Sequence, residues 1–581
     1  MNFQYSTLVK GLGVLLATNT AMAQSAEAAP ERTGQSEQPN IVFIFSDDHS
    51  NRAISAYGSD LVQTPNIDRI ANEGAIFENT FVVNSICQPS RASILTGKHS
   101  HQNGVIDNTS RWNPNQLIYP HLLEEAGYDT ALIGKWHMKP TPVNEFGYSF
   151  VLNGAGGQGT YYQPEFIDQK GKKTVLQGYS ADLITDLSID WIDEHKDADN
   201  PFLIKVQFKA PHTPRRPALR HLTTFKDHVF PEPATLHDDY TTRGEHAQKA
   251  WMQMYGMGDV GINAFPPAAT TPELAEIREE WLAKMTPRER RVFNQWMNRM
   301  SKEQRDAWHA AYDDINVEHW ELLKKPEYQR SRANLTTEQR ATRLSHMYQR
   351  FMRDYAATVL GIDENVGRIL DYLEEQGLAE NTIVVYSSDQ SFFIGEHGWA
   401  EKRYMYEEGM KMPFMIRWPA QIEAGQRPEA MIQNIDFGPT FLESVGLPVP
   451  EEMQGMSFKG VLDGKISTSE WHKKREAVYY HYYMEGGHNV PRHDGVRTER
   501  YKLIDFYSQN NGEGWLELYD LEEDPNEINN VYENADYTDV RAAMHKRLEE
   551  ARAKYEVPAD VFEVPYPYMH RRERKALGLI K

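Results

Sequence analysis

The sequence has 581 residues, a single cysteine and a formal net charge of −21 at pH 7. A chain of this length exceeds the usual single domain of about 100–200 residues, so we expect a large core with added domains or insertions. Its composition, 40% hydrophobic and 25% charged, is that of a globular protein. One cysteine excludes an intramolecular disulfide and any cysteine-rich metal centre. The acidic balance argues against nucleic acid as a partner.

The first residues have the pattern of an export signal. Lys10 precedes a short apolar run, and Ala21-Met22-Ala23 forms the small-residue pattern of a cleavage site. The run is too short to span a bilayer, which takes about 20 residues. We therefore predict a signal peptide over residues 1–23, a flexible leader over 24–38, secretion to the periplasm and no membrane span.

Alternating strands and helical segments predict the fold class. Residues 40–45 and 382–386 are continuous apolar runs, as in strands buried on both faces of a parallel sheet, and residues 202–208 form a third strand. Residues 355–376 have helical periodicity. We expect an α/β domain over residues 39–425, with a large, mainly parallel sheet flanked by helices.

Residues from about 215 to 345 differ in composition, being rich in Trp, Met, Arg and Glu. Thr286, Ser301 and Thr336 are each followed three residues later by Glu or Gln, which is the pattern of a helix capping box. This predicts a helical insertion. Its tryptophans are expected to form its own core rather than to stack on a ligand; they are Trp281, Trp296, Trp308 and Trp320.

Shorter alternating runs follow at residues 476–483 and 501–505. Alternation of this kind is typical of antiparallel strands with one solvated face. We therefore expect a smaller C-terminal α+β subdomain over residues 426–581.

Four oxygen-bearing side chains follow two of the predicted strands. Asp47 and Asp48 come after the first strand, and Asp389 and Gln390 come after the late one. The carboxyl ends of strands in an open α/β sheet form the edge where ligands bind. Carboxylate and amide oxygens suit a hard divalent cation such as calcium or magnesium. Helix capping or strand termination would explain either pair alone, but two strands that end in the same chemistry favour a metal site.

The single cysteine lies in a distinctive string, Cys87-Gln88-Pro89-Ser90-Arg91, followed by Leu95-Thr96-Gly97. A lone thiol is more often structural than reactive. This string, however, resembles the signature of type I, formylglycine-dependent sulfatases of the alkaline phosphatase superfamily. The resemblance continues in further segments, which are Gly134-Lys135-Trp136-His137, Ala210-Pro211-His212, Ser388-Asp389-Gln390 and Gly398-Trp399-Ala400-Glu401-Lys402. It implies the α/β fold of that family with a smaller C-terminal subdomain.

The resemblance also implies a mechanism. A maturase would oxidise Cys87 to formylglycine, and one hydroxyl of the hydrated aldehyde would attack sulfur. One calcium ion per chain would be held by Asp47, Asp48, Cys87, Asp389 and Gln390. Many members of the family have Asn where this chain has Gln390, whose side chain is longer but still offers an amide oxygen.

Basic residues at the matching positions would stabilise the charge on the transferring sulfate and move protons. Arg91 would hold the nucleophile and the metal carboxylates in place, and Lys135 and Lys402 would bind sulfate. His137 would act as the base during sulfate release, and His212 would protonate the leaving oxygen.

We therefore expect hydrolysis of a sulfate ester on a sulfated carbohydrate. The candidates are a glycosaminoglycan fragment such as 6-sulfated N-acetylglucosamine, or an algal polysaccharide. The polar, cationic stretch 487–498 is expected to reach the pocket, with His488, Arg492 and His493 contacting the sugar; a surface loop with structural salt bridges is an equally simple interpretation.

Two alternatives stay open from the sequence. One is a phosphonate or phosphodiester hydrolase of the same superfamily. The other is a non-catalytic sugar-binding relative in which Cys87 stays a thiol.

Overall fold

The structure is a computed structural model that describes residues 38–154, 156–325, 336–484, 487–507 and 514–562. The predicted signal peptide and leader residues 24–37 lie outside this part. Among the residues that are described, no helix combines the length and the apolar character needed to cross a membrane.

The strands of the described chain run in this order: β1 (Asn40–Ser46), β2 (Ala75–Ile76), β3 (Thr80–Phe81), β4 (Asp129–Gly134), β5 (Tyr148–Leu152), β6 (Glu165–Asp168), β7 (Lys173–Val175), β8 (Phe202–Gln207), β9 (Thr382–Ser388), β10 (Phe414–Arg417), β11 (Ile432–Gln433), β12 (Val478–Tyr482), β13 (His493–Arg497), β14 (Tyr501–Phe506) and β15 (Trp515–Asp520).

The α-helices are α1 (Pro65–Asn72), α2 (Cys87–Thr96), α3 (Ser100–Asn103), α4 (Tyr119–Glu125), α5 (Ser180–His195), α6 (Glu245–Lys249), α7 (Pro272–Lys284), α8 (Pro287–Arg299), α9 (Lys302–Leu323), α10 (Thr337–Glu375), α11 (Glu407–Met410), α12 (Phe437–Ser444), α13 (Lys459–Leu462), α14 (Thr468–Lys474) and α15 (Thr538–Lys554).

The central sheet has the strand order β2-β10-β9-β1-β8-β4-β5-β6-β7. Its five middle strands, β9, β1, β8, β4 and β5, run parallel to one another. The edge strands β10, β6 and β7 pair in the antiparallel direction. The predicted α/β class and the mainly parallel core are therefore confirmed, and the antiparallel edges are an addition that the apolar runs did not indicate.

Helices cover both faces of this sheet because the middle strands are apolar on both sides. Val42 and Ile44 of β1 pack into one core with α1, α5 and α10. Ile41, Phe43 and Phe45 of the same strand pack into a second core with α2, α4 and α12. Such a strand is buried on both faces, as parallel sheets require.

The helical segment predicted at residues 355–376 is longer than the periodicity indicated. It is the second half of α10, a helix of 39 residues that begins at Thr337. The first half packs with the insertion and the second half packs on the sheet, so a single rigid helix joins the two parts.

The insertion has the helices that its capping boxes predicted. Thr286, Ser301 and Thr336 each cap a helix, namely α8, α9 and α10, and the reciprocal side-chain bond is present in all three. The expected packing role of the tryptophans is confirmed by their burial: Trp281 stacks on Trp320 with ring centroids 4.9 Å apart, and Trp296 meets Trp308 edge-on at 5.3 Å.

A second sheet follows, in which β12, β13, β14 and β15 pair antiparallel in sequence order. Helix α15 covers one face of it through Met544 and Leu548. The antiparallel character of the C-terminal part is confirmed, whereas the boundary near residue 425 stays a prediction.

The capping box of α8 gives a test of local stability. Thr286→Ala removes the side-chain oxygen that accepts from the Glu289 backbone N–H at 3.3 Å. We expect a local loss of about 1 kcal/mol, since that N–H loses its partner. Hydrogen exchange of the first turn of α8 measures it. Thr270→Ala, at an exposed loop position, is the control, and equal exchange in both variants would contradict the assignment.

Candidate active site

An acidic cluster forms where β1 and β9 end side by side. The two strands are parallel neighbours with Ser46 opposite Ser388, so Asp47 and Asp389 leave the sheet at the same level. The Asp48 backbone N–H donates to Asp389 Oδ1 at 3.2 Å. One oxygen each of Asp47, Asp48 and Asp389 lies within 4.8 Å of the others and of Cys87 Sγ. The two strand ends therefore bring their acidic side chains together, and the role of these side chains as metal ligands stays a prediction.

Several oxygens of this cluster are buried without a hydrogen-bond donor among the described residues; they are Asp47 Oδ1, Asp48 Oδ2 and Gln390 Oε1. A buried carboxylate oxygen left unpaired is costly in free energy. The Gln390 amide nitrogen instead faces Asp48 Oδ1 and lies 3.8 Å from Cys87 Sγ. Hard oxygen donors this close together fit a divalent cation such as calcium or magnesium.

Cys87 is the first residue of α2, and its side chain is buried. Burial raises the pKa of the thiol to about 12, an effect that Lys402 opposes and Asp389 reinforces. A thiol in this environment stays protonated at neutral pH, and the thiolate is the reactive form of cysteine. The position at a helix N-terminus favours negative charge, but an unmodified Cys87 is a poor nucleophile here.

Each of the three carboxylates has its own basic partner. Arg91 contacts Asp389 Oδ2 through Nε and Nη2, both at 3.1 Å. Lys135, which follows β4, is paired with Asp47. Lys402 Nζ lies 2.6 Å from Asp48 Oδ1.

The electrostatic environment of Lys402 favours its charged form. Burial alone would lower the pKa of this lysine, but the charges of Asp48 and its neighbours outweigh burial and raise the pKa above its usual value. Lys402 is therefore a permanent cation at the site, as the prediction of a sulfate-binding group requires.

The two histidines lie at the same site, each with one ring nitrogen held by a neighbour. His212 Nδ1 is 2.6 Å from the Thr213 carbonyl oxygen, which can only accept, so Nδ1 carries a proton. Its Nε2 faces Asp48 Oδ2 at 3.8 Å. His137 Nε2 is 2.8 Å from Gln158 Nε2, which donates to it. Burial lowers the pKa of both histidines, and the nearby lysines lower it further.

The three residues predicted to contact sugar lie in different environments. His488 is 42% exposed, and its Nδ1 is 4.0 Å from Glu401 Oε2, next in sequence to Lys402. Arg492 is buried and donates to the Val561 carbonyl oxygen at 3.0 Å. His493 is fully buried on β13, with its ring centroid 4.8 Å from that of Phe506. The structure thus brings His488 towards the site and places the other two in packing; their contact with sugar stays a prediction.

Two further residues join the site that the sequence patterns did not single out. Lys209 is buried, and its charge interacts with Asp48 and Cys87. Tyr355, on α10, donates its hydroxyl to the Asp48 carbonyl oxygen at 2.7 Å. Lys209 lies two residues after β8 and three residues before His212, so its position at a strand end was an available signal. Tyr355 lies in the middle of a helix, and nothing in its local sequence distinguishes it from a residue that only packs in the core.

This buried acidic cluster lies around one side chain at a helix N-terminus and is surrounded by lysine, arginine and histidine. Such an arrangement suits a hydrolase that acts on an anionic ester. The comparisons with known proteins agree with that class. The model of the sulfatase family matches residues 39–447, and the model described as N-sulphoglucosamine sulphohydrolase, C-terminal, matches residues 395–554. The chain belongs to the sulfatase family.

Individual relatives support the same assignment. The chain is 43% identical to N-acetylglucosamine-6-O-sulfatase of Bacteroides thetaiotaomicron, over 93% of this chain and 91% of that protein. A solved structure of a protein in complex with its substrate D-glucosamine-2-N,6-O-disulfate matches with 42% identity and a TM-score of 0.81, over 91% of this chain and all of that one. A phosphonate monoester hydrolase of Agrobacterium radiobacter, at 21% identity and a TM-score of 0.59, shares the fold over 89% of this chain and 96% of that one.

The predicted family and enzyme class are therefore confirmed, and the protein is a sulfuric ester hydrolase. Members of this family generally use a formylglycine and a divalent metal. The oxygen donors around Cys87 fit such a metal.

The buried thiol gives a direct test of this geometry. In protein whose residue 87 is still cysteine, we expect slow alkylation by iodoacetamide at pH 8 in the folded state, because the thiol is both buried and protonated. Peptide mass spectrometry follows the reaction. Unfolding in guanidinium is the control and should make alkylation fast. Equal rates in the two states would contradict the burial of Cys87.

Proposed function

We propose that the protein removes a sulfate ester from a glucosamine-type sugar, using a formylglycine made from Cys87 and a calcium ion. The observation that carries this proposal is the cluster of buried carboxylates, each with an oxygen within 4.8 Å of Cys87 Sγ. Two carboxylate oxygens of this cluster have no hydrogen-bond donor among the described residues. The similarity to a named N-acetylglucosamine-6-O-sulfatase supports the 6-sulfate of a glucosamine unit. An algal sulfated polysaccharide is the less supported substrate.

Asp47, Asp48, Asp389 and Gln390 would hold the cation, together with residue 87. When bound, the cation would lower the pKa of a hydroxyl on the hydrated formylglycine and offset negative charge on the sulfate. Arg91 fixes Asp389 and, through a hydrogen bond of 3.0 Å to the Lys135 carbonyl oxygen, also the loop after β4. This holds the donors in place before substrate arrives, which is the condition for electrostatic catalysis.

The basic residues would act on the sulfate and on protons. Lys135 and Lys402 pair with different carboxylates of the cluster, Asp47 and Asp48, and would bind sulfate oxygens. His212 presents Nε2 to the site, because its Nδ1–H is held by Thr213, so Nε2 is the atom that would pass a proton to the leaving oxygen. A bound sulfate would raise the pKa of His212 towards neutrality, since a nearby anion favours the imidazolium. His137 would take a proton during sulfate release.

Maturation and export belong to the same proposal. Cys87 is about 1% exposed in the folded chain, so a formylglycine-generating maturase would have to act before α2 packs. We assign the folded enzyme to the periplasm on the signal-peptide pattern of residues 1–23, with residues 39–425 as the catalytic domain and 426–581 as the C-terminal subdomain.

Removal of a ligand tests the metal site. Asp389→Ala should abolish stoichiometric calcium binding, because it removes a carboxylate from the donor set and frees Arg91 to repel a cation. Equilibrium dialysis with metal analysis gives the readout without any assay of activity. Asp314→Asn, at a side chain 85% exposed, is the control and should bind calcium like the wild type. Calcium retained by Asp389→Ala would exclude this residue as a ligand.

A substrate panel tests the reaction. We expect matured enzyme, verified by mass spectrometry across residue 87, to release sulfate from 6-O-sulfated N-acetylglucosamine faster than from its 3-O- or 4-O-sulfated analogues. The panel also contains an aryl sulfate, an aryl phosphodiester and an aryl phosphonate with the same leaving group.

Two results would decide against this function. Faster turnover of the phosphodiester or phosphonate than of the sulfate would favour the superfamily alternative. Sugar binding without any turnover, in protein from the native host with Cys87 unmodified, would favour a binding protein.

A further inference from the structure

A cavity of about 1160 Å³ lies beside the acidic cluster, between the segment that follows β5 and helix α8 of the insertion. The two walls are joined: Arg299 Nη1 donates to the Gln163 carbonyl oxygen at 2.7 Å, and the Gln163 amide donates back to the Arg299 carbonyl oxygen at 3.0 Å. The volume is at the upper end of that of small-ligand sites and suffices for a saccharide unit.

The floor of this cavity contains Arg216, which is only 2% exposed. Neither terminal nitrogen of its guanidinium has a hydrogen-bond acceptor among the described residues. The acid whose charge acts most strongly on Arg216 is Asp354. Its oxygens are engaged by Asn263 and Tyr312 at 2.7 and 2.6 Å. Burial lowers the pKa of Arg216 to about 10, so the side chain is charged at neutral pH.

A buried guanidinium with unpaired N–H groups carries a large desolvation cost. Its aromatic neighbours hold it in one orientation without satisfying those groups: Cζ lies 4.7 Å from the Trp296 ring centroid and 4.9 Å from that of Phe265. Arginine in a fixed orientation is suited to bidentate binding of a carboxylate or a sulfate-type group.

The charge around the cavity also favours an anion. Arg216 and Arg299 are among the described lining residues, and so is Lys209, whose pKa burial lowers to about 7. Glu165 is the one acidic side chain of that described lining, and it accepts from the Asn153 amide. The rim is formed by exposed amide side chains such as Gln177, Gln295 and Asn298. Amides around a cationic floor are the hydrogen-bonding groups that a hydroxylated, anionic ligand needs.

The cavity is connected to the acidic cluster through shared residues. Lys209 lines the cavity, and its charge also acts on Asp48 and Cys87. Tyr161 lines it too, and donates its hydroxyl to the His212 carbonyl oxygen at 2.6 Å. One ligand can therefore place one group at the cluster and another in the cavity.

We propose that this cavity is a second anion subsite, in which Arg216, with Lys209, holds a carboxylate or sulfamate of the same saccharide whose sulfate ester lies at the acidic cluster. The inference rests on the proposed function. It predicts that the enzyme prefers a substrate with a second negative group over one with the scissile sulfate alone.

The test compares the wild type with Arg216→Met on three compounds: 6-O-sulfated N-acetylglucosamine, glucosamine-2-N,6-O-disulfate, and a disaccharide of 6-O-sulfated N-acetylglucosamine and glucuronic acid. We expect Arg216→Met to lose about tenfold to hundredfold in kcat/KM, mainly through KM, on a substrate whose second anion enters the cavity. The singly sulfated sugar should be unaffected. Loss on the disulfate alone identifies a sulfamate subsite, and loss on the disaccharide alone identifies a carboxylate subsite.

Equal losses on all three compounds, or no loss on any, would overturn the subsite. Failure of the wild type to release sulfate from every compound would instead overturn the proposed function, and the subsite with it. Thermal melting checks that Arg216→Met is folded, and calcium content checks that it has bound its metal.

If Arg216→Met does not fold, a variant at the exposed rim of the cavity tests the anion subsite instead. Gln295→Trp narrows the cavity from α8, and Asn294→Trp, an exposed neighbour outside the lining, is its control. A selective loss on a doubly anionic compound for Gln295→Trp alone supports the subsite. Equal behaviour of the two variants on all three compounds overturns it.

Discussion

The pairing of three buried carboxylates with three bases holds the catalytic end of this molecule together. Asp47, Asp48 and Asp389 are fully buried within a few ångströms of one another, and such a cluster of like charges is stable only when each charge is paired. Lys135, Lys402 and Arg91 supply one partner each. These pairs connect the ends of β1 and β9 to the loop after β4, to α2 and to the segment before α11.

The same pairing prepares the site for an anionic ester. Arg91 and Lys402 offset two of the buried carboxylates, whereas burial lowers the pKa of Lys135 well below its usual value. A divalent cation held by the remaining oxygens would supply the positive charge that an anionic ester needs. That local charge lies within a chain of net charge −21, whose surface repels anions at long range. Recognition of a sulfated ligand therefore depends on short-range contacts at the strand ends, where burial makes each interaction stronger than in water.

Sequence patterns predicted the parts of the structure that depend on local chemistry. The apolar runs ending in Asp47 and Asp389 predicted parallel strands that meet at one edge, because a strand buried on both faces has no polar alternation. The capping boxes predicted helix starts at Thr286, Ser301 and Thr336 because they satisfy backbone groups within one turn. Register, however, depends on pairing between distant segments, so the contact of Tyr355 with Asp48 could not be read from either segment alone.

Sequence reasoning missed Tyr355 and Arg216 because tertiary packing, and not local sequence, gives them their role. Arg216 is one of two adjacent arginines between prolines, and such a local sequence is typical of a solvated turn. In the fold it is buried against Trp296, a residue that the sequence correctly assigned to the core of the insertion. The helical insertion thus does more than pack on itself. It places α8 opposite the segment after β5, so that Arg216 and Lys209 line one cavity. This extends recognition beyond the sulfate to the rest of an anionic sugar.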